Sequence, residues 1–539
     1  MVNLDYLYNP AAAKKNFGKK HFADKKLGFR VIENGMILPY KKTIDGKTDK
    51  TGWGFGGIVD SEGEFIKSSH VFSGAGKYYK PLPAAIIHSS QTVIYLGMFH
   101  STWGHVITDN IRRLWFLKSE DFKNNFKKLP LVYLLCTKNE VFTLESYKNF
   151  RRMLEILEVD VDNLQPITQP TQFDKIILPD ESFYLESSRK FTVEYRETID
   201  RIRDFALKNR TPTSVKKIYY FHGVRQLGEE RLAEYFRSKG YEIVRPEKLS
   251  LDEQLNLLIN AESFASTLGS CSHNSIFLRD NTEAIFIPRA ANVFTGYQPP
   301  LNQVHPLNIN YVDSSISLFN MRHAFYLYAI SKQLKNFFGD KFDGYEEDDF
   351  KLFLEYVKNA TSKNLSVTQV AKEYYDIVLF DFMEQLERRE DLITACDMPS
   401  NWEKFYPGLT YCTHVHKNGW GAWKIGNQIS NSLDQMFDIQ AIKINSSSHK
   451  IYYAVYYDDA EGWSAEVTAP EPAGTIGKHK PIFGVKIRLD EAGTRNFNIL
   501  YRVHTFDGKW TPWAKNGETL YSHGVKLNAI QIKLETKRT

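Results

Sequence analysis

Residues 217–289 alternate between short apolar runs and amphipathic stretches, and this alternation limits the possible folds more than any other feature. The apolar runs have the length and composition of buried strands: Ile218–Phe221, Tyr241–Val244, Ser263–Leu268 and Ala284–Ile287. Between them, 227–239 has helical spacing, and Ser250 with Glu253 predicts a capping box that opens a second helix. A β-α-β-α-β-α-β series predicts a parallel sheet that binds ligands at the carboxyl ends of its strands.

A loop of small and polar residues follows the third of these strands. It comprises Gly269, Ser270, Cys271, Ser272, His273 and Asn274, and it precedes a short apolar helix at 275–278. The first amides of a helix have no internal partner, and the helix dipole adds positive charge there, so such a loop is suited to bind a phosphate. The same residues could equally form a tight turn and cap the helix without any ligand.

Upstream, His105 and Asp109 stand four positions apart in a stretch, 103–117, that is expected to be helical. Residues at this spacing share one face of a helix, so the two side chains should be neighbours. A carboxylate beside a histidine can fix its tautomer and make it a better base. Because a carboxylate is also a competent base, the roles of His105 and Asp109 could be reversed, and the pair could also be purely structural.

These segments together resemble glycosyltransferase family 61 over about residues 85–290. The matching features are the H-x-x-x-D pattern of His105 and Asp109, Arg225, the run 249–254, the loop through Asn274, Phe277, and 285–288. The chain departs from the family at Leu268-Gly269-Ser270, where many members have His-Gly-Ala, and its nearest histidine is His273. The resemblance implies two Rossmann-like halves in a GT-B arrangement and a nucleotide-sugar donor.

An inverting transfer needs one base that takes the proton of the acceptor hydroxyl while the sugar carbon is attacked opposite the leaving nucleotide. His105 is the candidate base, and Asp109 is the residue that orients it. Candidate donor-binding residues are Arg225, Gly269, Ser270, Ser272, His273 and Asn274, which can donate to or accept from phosphate or ribose. Arg225 could also be an ordinary surface arginine.

Neither a metal ion nor a cofactor is expected, and the nucleotide-sugar is a substrate. Metal-dependent transferases usually carry an Asp-x-Asp pair. The adjacent pairs Asp348-Asp349 and Asp458-Asp459 lie outside the α/β halves, and the Asp-x-Asp pair Asp160 and Asp162 is far from the donor loop in the sequence.

With 539 residues, the chain is too long for one ordinary core, and four segments are expected. Residues 1–208 should form an N-terminal α/β acceptor-side domain, with buried strands at 84–88, 93–96, 131–135 and 175–178 and helices at 141–157 and 193–207. Residues 215–313 should form a Rossmann-like donor-binding domain. Residues 314–400 should form a helical segment that completes the GT-B core, with helices at 349–357 and 367–386. Residues 405–539 should form a β domain. The predicted fold class is α/β with two Rossmann-like halves, followed by this helical segment and an all-β repeat domain.

The last segment contains three copies of one unit, marked by Trp420, Trp463 and Trp510. His414, Tyr457 and His504 each stand six residues before one of these tryptophans. An alternating strand is expected after each tryptophan, at 439–444, 482–487 and 527–532. The segment resembles the clostridial hydrophobic repeats with a Gly-Trp pair, which implies a bacterial, carbohydrate-related protein. The aromatic rings could pack in a core or stack on sugar rings.

Composition bears on partners and location. The net charge of +5 is too small to indicate nucleic acid, and no apolar run is long enough to predict a membrane span. The start of the chain does not resemble a secretion signal, and the four cysteines form no C-x-x-C pair, so a cytoplasmic location is expected. A lysine cluster, Lys14–Lys26, is either a solvated arm or a peripheral contact with the inner face of a membrane.

Two functions of different classes remain. The first is a bacterial glycosyltransferase of capsular or other cell-surface polysaccharide biosynthesis, with a glycan or lipid-linked glycan as acceptor. The second is a non-catalytic glycan-binding or scaffold protein with a degenerate transferase core. The presence of His105, Asp109 and Arg225 together favours the enzyme. The sequence does not predict the sugar, the linkage or the oligomeric state.

Overall fold

The computed structural model describes residues 2–48, 53–70, 83, 85–136, 144, 147–223, 226–290, 296–318, 325–368, 372, 374–375, 379–395, 402–406, 408–431, 433 and 437–537. The chain forms two compact units. The first unit comprises Met1–His222, Ala233–Pro288 and Phe294–Val312, and the second comprises Gly223–Leu232, Arg289–Val293 and Asp313–Thr539.

The first unit contains the parallel sheet that the sequence predicts. Its six strands, in sheet order, are Val2–Tyr6, Asn308–Val312, Glu283–Ile287, Ser263–Thr267, Lys217–Tyr220 and Glu242–Val244, and all neighbouring pairs are parallel. Two strands at one edge were not predicted, and one of them comes from the start of the chain. The helices Glu229–Ser238 and Leu251–Asn260 follow the predicted pattern, and Ser250 with Glu253 forms the predicted capping box. The α/β part of the fold prediction is therefore confirmed.

A second, mixed sheet lies in the same unit. Its order is Leu164–Pro166, Leu131–Cys136, Ile87–His100, Thr171–Pro179, Met36–Lys41, Phe55–Val59 and Phe65–Ile66, and Phe29–Glu33 pairs with Thr171–Pro179. The first four strands of this order are parallel to one another, and the remaining pairs are antiparallel. The sequence predicted separate strands at 84–88 and 93–96. That prediction is wrong, because one continuous strand, Ile87–His100, includes the polar residues between them. The first part of this strand is largely exposed to solvent, and the rest is buried.

One apolar core is shared by both sheets of the first unit. It includes Ile94 and Leu96 from the mixed sheet, together with Phe264 and Phe286 from the parallel sheet. The helices of this unit are Pro10–Phe17, Lys148–Ile156, Val193–Lys208, Leu251–Asn260 and Gln298–Leu301, with part of Glu229–Ser238. The helix predicted at 193–207 is confirmed. The helix predicted at 141–157 is present from Lys148 onward, and most of its earlier residues lie outside the described ranges.

The second unit combines helices with β structure. Its helices are Lys332–Phe337, Glu347–Ser362, Phe380–Glu387, Glu390–Ala395 and Glu491–Asn496. The helix predicted at 349–357 is confirmed, and much of the one predicted at 367–386 lies outside the described residues. The short strands Gln226–Leu227 and Tyr326–Leu327 pair in parallel within this unit.

After residue 408, three long antiparallel pairs organise the β structure. They are Leu409–Val415 with Ile439–Ser446, Ile451–Tyr456 with Gly484–Leu489, and Phe497–Thr505 with Leu527–Thr536. The three strands predicted near 439, 482 and 527 are therefore present. The rings of Trp420 and Trp510 contact those of His414 and His504, which stand six residues before them in the sequence. The alignment of Trp463 with Tyr457 is wrong, because the hairpin is one residue longer and Trp463 bridges to Tyr456.

Among the described residues, no helix is long and apolar enough to cross a membrane. In the same residues, no group of three or more His, Cys, Asp or Glu side chains is arranged to hold a metal ion. Cys136, Cys271 and Cys412 are buried free thiols, and Cys396 lies outside the described residues.

Candidate active site

The candidate base follows the carboxyl end of a parallel strand in the mixed sheet. After Ile87–His100, residues Trp103–His105 form one α-helical turn and Val106–Asn110 one π-helical turn, and Leu114–Lys118 is a 3-10 helix. The continuous helix expected over 103–117 is therefore wrong. The side chain of Asn110 accepts from the backbone N–H of His100 (2.8 Å) and donates to its carbonyl (3.1 Å). These two bonds hold the π turn against the end of the strand. The chain is therefore not a regular α-helix at Val106–Asn110, the turn that contains Asp109.

His105 and Asp109 are nevertheless neighbours. The His105 Nδ1 atom lies 2.8 Å from Oδ2 of Asp109, and the Thr108 hydroxyl lies 2.9 Å from the same oxygen. His105 is 19% exposed, whereas Asp109 is 4% exposed. Burial alone would raise the pKa of Asp109, but the hydrogen bond from His105 and the charges of His105 and Arg112 outweigh it and lower the pKa to about 2. Asp109 is therefore held as a carboxylate.

Two buried arginines lie behind this carboxylate. An Arg112 nitrogen lies 3.5 Å from Asp109 Oδ1, and Arg112 also pairs with Glu181 (3.1 Å). Arg113 pairs with the same Glu181 oxygen (3.2 Å) and donates to the carbonyl of Pro179 (3.0 Å). Burial lowers the pKa of Arg113 to about 10, which leaves it charged at neutral pH. The two arginines thus place positive charge beside Asp109 and anchor the segment that carries His105 and Asp109.

Aromatic rings surround His105. Its ring centroid lies 4.8 Å from that of His100, 5.3 Å from Trp53 and 5.9 Å from Tyr297. Tyr297 in turn carries the guanidinium of Arg189 over its face at 3.8 Å. These rings pack around the imidazole, which remains 19% exposed.

His100 is a site residue that the sequence reasoning missed. It is 5% exposed, and its Nε2 has no hydrogen-bond partner among the described residues. Burial, together with the charge of His105, lowers the pKa of His100 to about 3, so the ring is neutral at physiological pH. The strand predicted at 93–96 ends four residues before His100, so the sequence did not place this histidine at a strand end, whereas the observed strand ends at His100.

The loop 269–274 follows the carboxyl end of Ser263–Thr267 in the parallel sheet. Gly269 has a φ of +143°, and the loop leads into a 3-10 helix, Ser272–Phe277, which begins earlier than expected. The Ser272 hydroxyl is buried and bonds to Gly269 and Gln298, and the Asn274 amide donates to the carbonyl of Cys271 (3.0 Å). Ser272 and Asn274 therefore shape the loop, and a contact of either with a donor stays a prediction.

Several backbone amides of this loop are already engaged. The amide of Gly269 donates to the Ser272 hydroxyl (3.0 Å), and those of His273 and Asn274 donate to carbonyls within the loop. Of the predicted set, Ser270, His273 and Asn274 lie close to the histidine segment, as described next.

Two contacts join the histidine segment to this loop. The indole N–H of Trp103 donates to the side-chain oxygen of Asn274 at 2.9 Å. A Cβ atom at Gly104 would lie 2.8 Å from the Ser270 hydroxyl and 3.1 Å from Nδ1 of His273, so a larger residue at this position would have to displace these side chains. The structure thus brings His105, Asp109, Ser270 and His273 together, while Arg225 lies outside the described residues.

These contacts place a histidine–carboxylate pair and a loop of small residues at the carboxyl ends of strands from two sheets, as in α/β enzymes that bind ligands at such strand ends. Residues 103–285 match the family model described as Glycosyltransferase 61. The resemblance predicted from sequence is therefore confirmed for this segment, which contains His105, Asp109 and the loop, and the match supports a glycosyltransferase. A comparison with curated proteins gave no match.

Proposed function

We propose that this protein transfers a sugar from a nucleotide-sugar donor to a hydroxyl of a glycan acceptor, with inversion and without a metal ion. The observation that carries the proposal is the placement of the His105–Asp109 pair against the loop 269–274, inside the segment that matches a glycosyltransferase family. A base and a phosphate-binding loop are the two parts that such a transfer requires from the protein.

The electrostatics favour His105 as the base. A carboxylate whose pKa is about 2 binds a proton weakly at neutral pH, so Asp109 is a poor proton acceptor there. As a carboxylate that accepts from Nδ1, it fixes the tautomer in which the other ring nitrogen, Nε2, can take the proton of an acceptor hydroxyl. Asp109 also stabilises the imidazolium that forms when the proton arrives.

The leaving diphosphate would bind at the loop. Ser270 and His273 lie against Gly104, directly before His105, so groups there could contact the phosphates while the sugar faces the base. Arg225 remains the candidate that would neutralise the leaving charge with its fork of donors. Gly269, Ser272 and Asn274 would hold the loop in shape, as their contacts suggest.

The wider setting belongs to the same proposal. A GT-B arrangement of two Rossmann-like halves, a role in capsular or other cell-surface polysaccharide biosynthesis in a bacterium, and a cytoplasmic location follow from the family resemblance and the sequence. The β structure after residue 408 would bind the glycan acceptor or a partner protein.

The test is release of free nucleoside diphosphate from a panel of nucleotide-sugars, with wild-type protein and a His105→Ala variant. At least one donor should be hydrolysed or transferred by the wild type and not by the variant, and activity should survive EDTA. Turnover that disappears with EDTA and returns with manganese or magnesium would contradict metal independence. A folded wild-type protein that turns over no donor in the panel would favour the non-catalytic scaffold.

A further inference from the structure

The lysine-rich stretch near the start of the chain does not stand alone in the folded first unit. Residues 21–23 run beside the hairpin formed by Phe183–Leu185 and Arg189–Phe191. The amide of Ala23 donates to the carbonyl of Phe191 (2.8 Å), and the amide of Phe191 donates to that of His21 (3.0 Å). Segments about 170 residues apart thus form one surface, which we call the basic patch: residues 19–26 with 183–193.

The hairpin adds a cation to the lysines of the first segment. Lys190 Nζ donates to the carbonyl of Lys20 (2.7 Å), and Lys25 lies over the ring of Tyr184 at 5.2 Å. The exposed lysines of the first segment are Lys19, Lys20, Lys25 and Lys26. Burial lowers the pKa of the neighbouring His21, and the charges of Lys190 and Lys19 lower it further, as expected where the local potential is positive.

The second segment of the patch also contains exposed apolar side chains. Leu185, in the hairpin, is 39% exposed, and Val193, which begins the helix after the hairpin, is 44% exposed. A bilayer rich in acidic lipid has anionic headgroups at its surface and apolar acyl chains just beneath them. A protein surface that carries both lysines and exposed aliphatic side chains is suited to bind such a bilayer.

We infer that the basic patch docks the protein on a membrane surface that carries anionic lipid headgroups, with the lysines at the headgroups and Leu185 and Val193 in the acyl boundary. The inference does not depend on the proposed function, since lipid binding needs neither donor nor acceptor.

The patch is also close to the candidate base. Arg189 of the hairpin stacks on Tyr297 at 3.8 Å, and Tyr297 contacts His105 at 5.9 Å. Docking through this patch would therefore hold the acceptor side of the candidate site near the bilayer. That is the placement that an acceptor carried on lipid requires.

The test is co-sedimentation of the full chain with phosphatidylcholine vesicles, with or without phosphatidylglycerol. Binding should require phosphatidylglycerol and weaken as salt is raised. Replacing Lys19, Lys20, Lys25 and Lys26 with glutamine should reduce binding about a hundredfold or more, since each basic residue near the surface contributes on the order of 1 kcal/mol. The pair Leu185→Ser and Val193→Ser should reduce it further while leaving donor turnover unchanged.

Matched controls lie elsewhere on the first unit. One control variant replaces four lysines outside the patch with glutamine: Lys208, Lys217, Lys239 and Lys248. A second control variant replaces two exposed aliphatic side chains outside the patch, Val31 (47%) and Ile87 (48%), with serine. Equal losses from patch and control sets, absence of binding to the anionic vesicles, or equal binding to both vesicle types would overturn the inference. Binding to a DNA fragment as tight as to vesicles, and indifferent to the Leu185 and Val193 changes, would also overturn it.

Discussion

The indole N–H of Trp103 donates to the side-chain oxygen of Asn274 at 2.9 Å, and this bond joins segments that are 171 residues apart. The amide nitrogen of the same Asn274 side chain donates to the carbonyl of Cys271 inside the loop. One side chain therefore couples the position of the histidine segment to the shape of the loop. A substitution of Trp103 should therefore weaken donor binding as well as lower the free energy of unfolding.

We expect Trp103→Phe to raise the donor KM about tenfold, the equivalent of about 1.4 kcal/mol. The variant leaves a buried oxygen of Asn274 without this donor, at a cost of about 1–3 kcal/mol in unfolding free energy. Trp115→Phe is the matched control, because the Trp115 indole donates to the carbonyl of Asp180 at the same distance. It should lose comparable stability with the donor KM unchanged. Equal effects of both variants on the donor KM would disprove the coupling.

His105→Ala should lower turnover by roughly two to four orders of magnitude, the usual contribution of a general base. Binding of donor nucleotide, measured by calorimetry, should stay near the wild-type value, because the imidazole is assigned to the acceptor hydroxyl. His88→Ala, an exposed change at the other end of the same strand, is the control and should leave turnover unchanged. Wild-type turnover of the His105 variant would exclude this residue from the chemistry.

Asp109→Asn should also lower turnover, but by less than the His105 change. A larger loss would make Asp109 the base. The variant should have a distinct acid response. Because the folded-state pKa of Asp109 lies below its ordinary value of 3.8, at about 2, its interactions stabilise the fold above about pH 4 and are lost as the pH falls toward 2. Urea unfolding across this range should show a weaker pH dependence in the variant than in the wild type.

The pairing of His105 with Asp109 could be predicted because it depends only on local spacing, and it persists although the segment is a π turn rather than a regular helix. The strands of the parallel sheet could be predicted from apolar runs between polar turns. The Trp103–Asn274 bond could not, since no local pattern reports a contact between distant segments. Nor could the sequence reveal that Ser272 and Asn274 bond within the loop.

His100 gives a second pH prediction, of the same sign but over a higher pH range. Its pKa is lowered from 6.5 to about 3, so the unfolded chain binds more protons than the folded one between these values. The free energy of unfolding should therefore fall as the pH drops from about 6.5 to about 3. His100→Gln should remove part of this loss, whereas His88→Gln, at an exposed position on the same strand, should not. Identical pH profiles for wild type and His100→Gln would show that His100 is not held neutral.

The boundary of the β structure gives the last prediction. The sequence suggests that a chain ending near residue 400 still binds donor nucleotide, since the candidate residues lie upstream, and that it aggregates only if the repeats pack tightly on the helices of 314–395. Within the second unit, the ring of Phe380 lies 5.2 Å from that of Phe497, and Tyr375 contacts both Phe497 and His449. Ending the chain at residue 400 would expose these rings to water.

We therefore expect the truncated chain to aggregate, because an exposed aromatic patch of this kind favours association. Light scattering after purification would measure it. Replacing Tyr375 and Phe380 with serine in the truncated chain should restore a monodisperse protein that still binds donor nucleotide, because all the candidate residues precede residue 400 and His105, Asp109 and the loop 269–274 lie in the first unit. A truncated chain that is monodisperse without these substitutions would show that the rings contribute little. A soluble truncated chain that binds no nucleotide would place part of the donor site after residue 400.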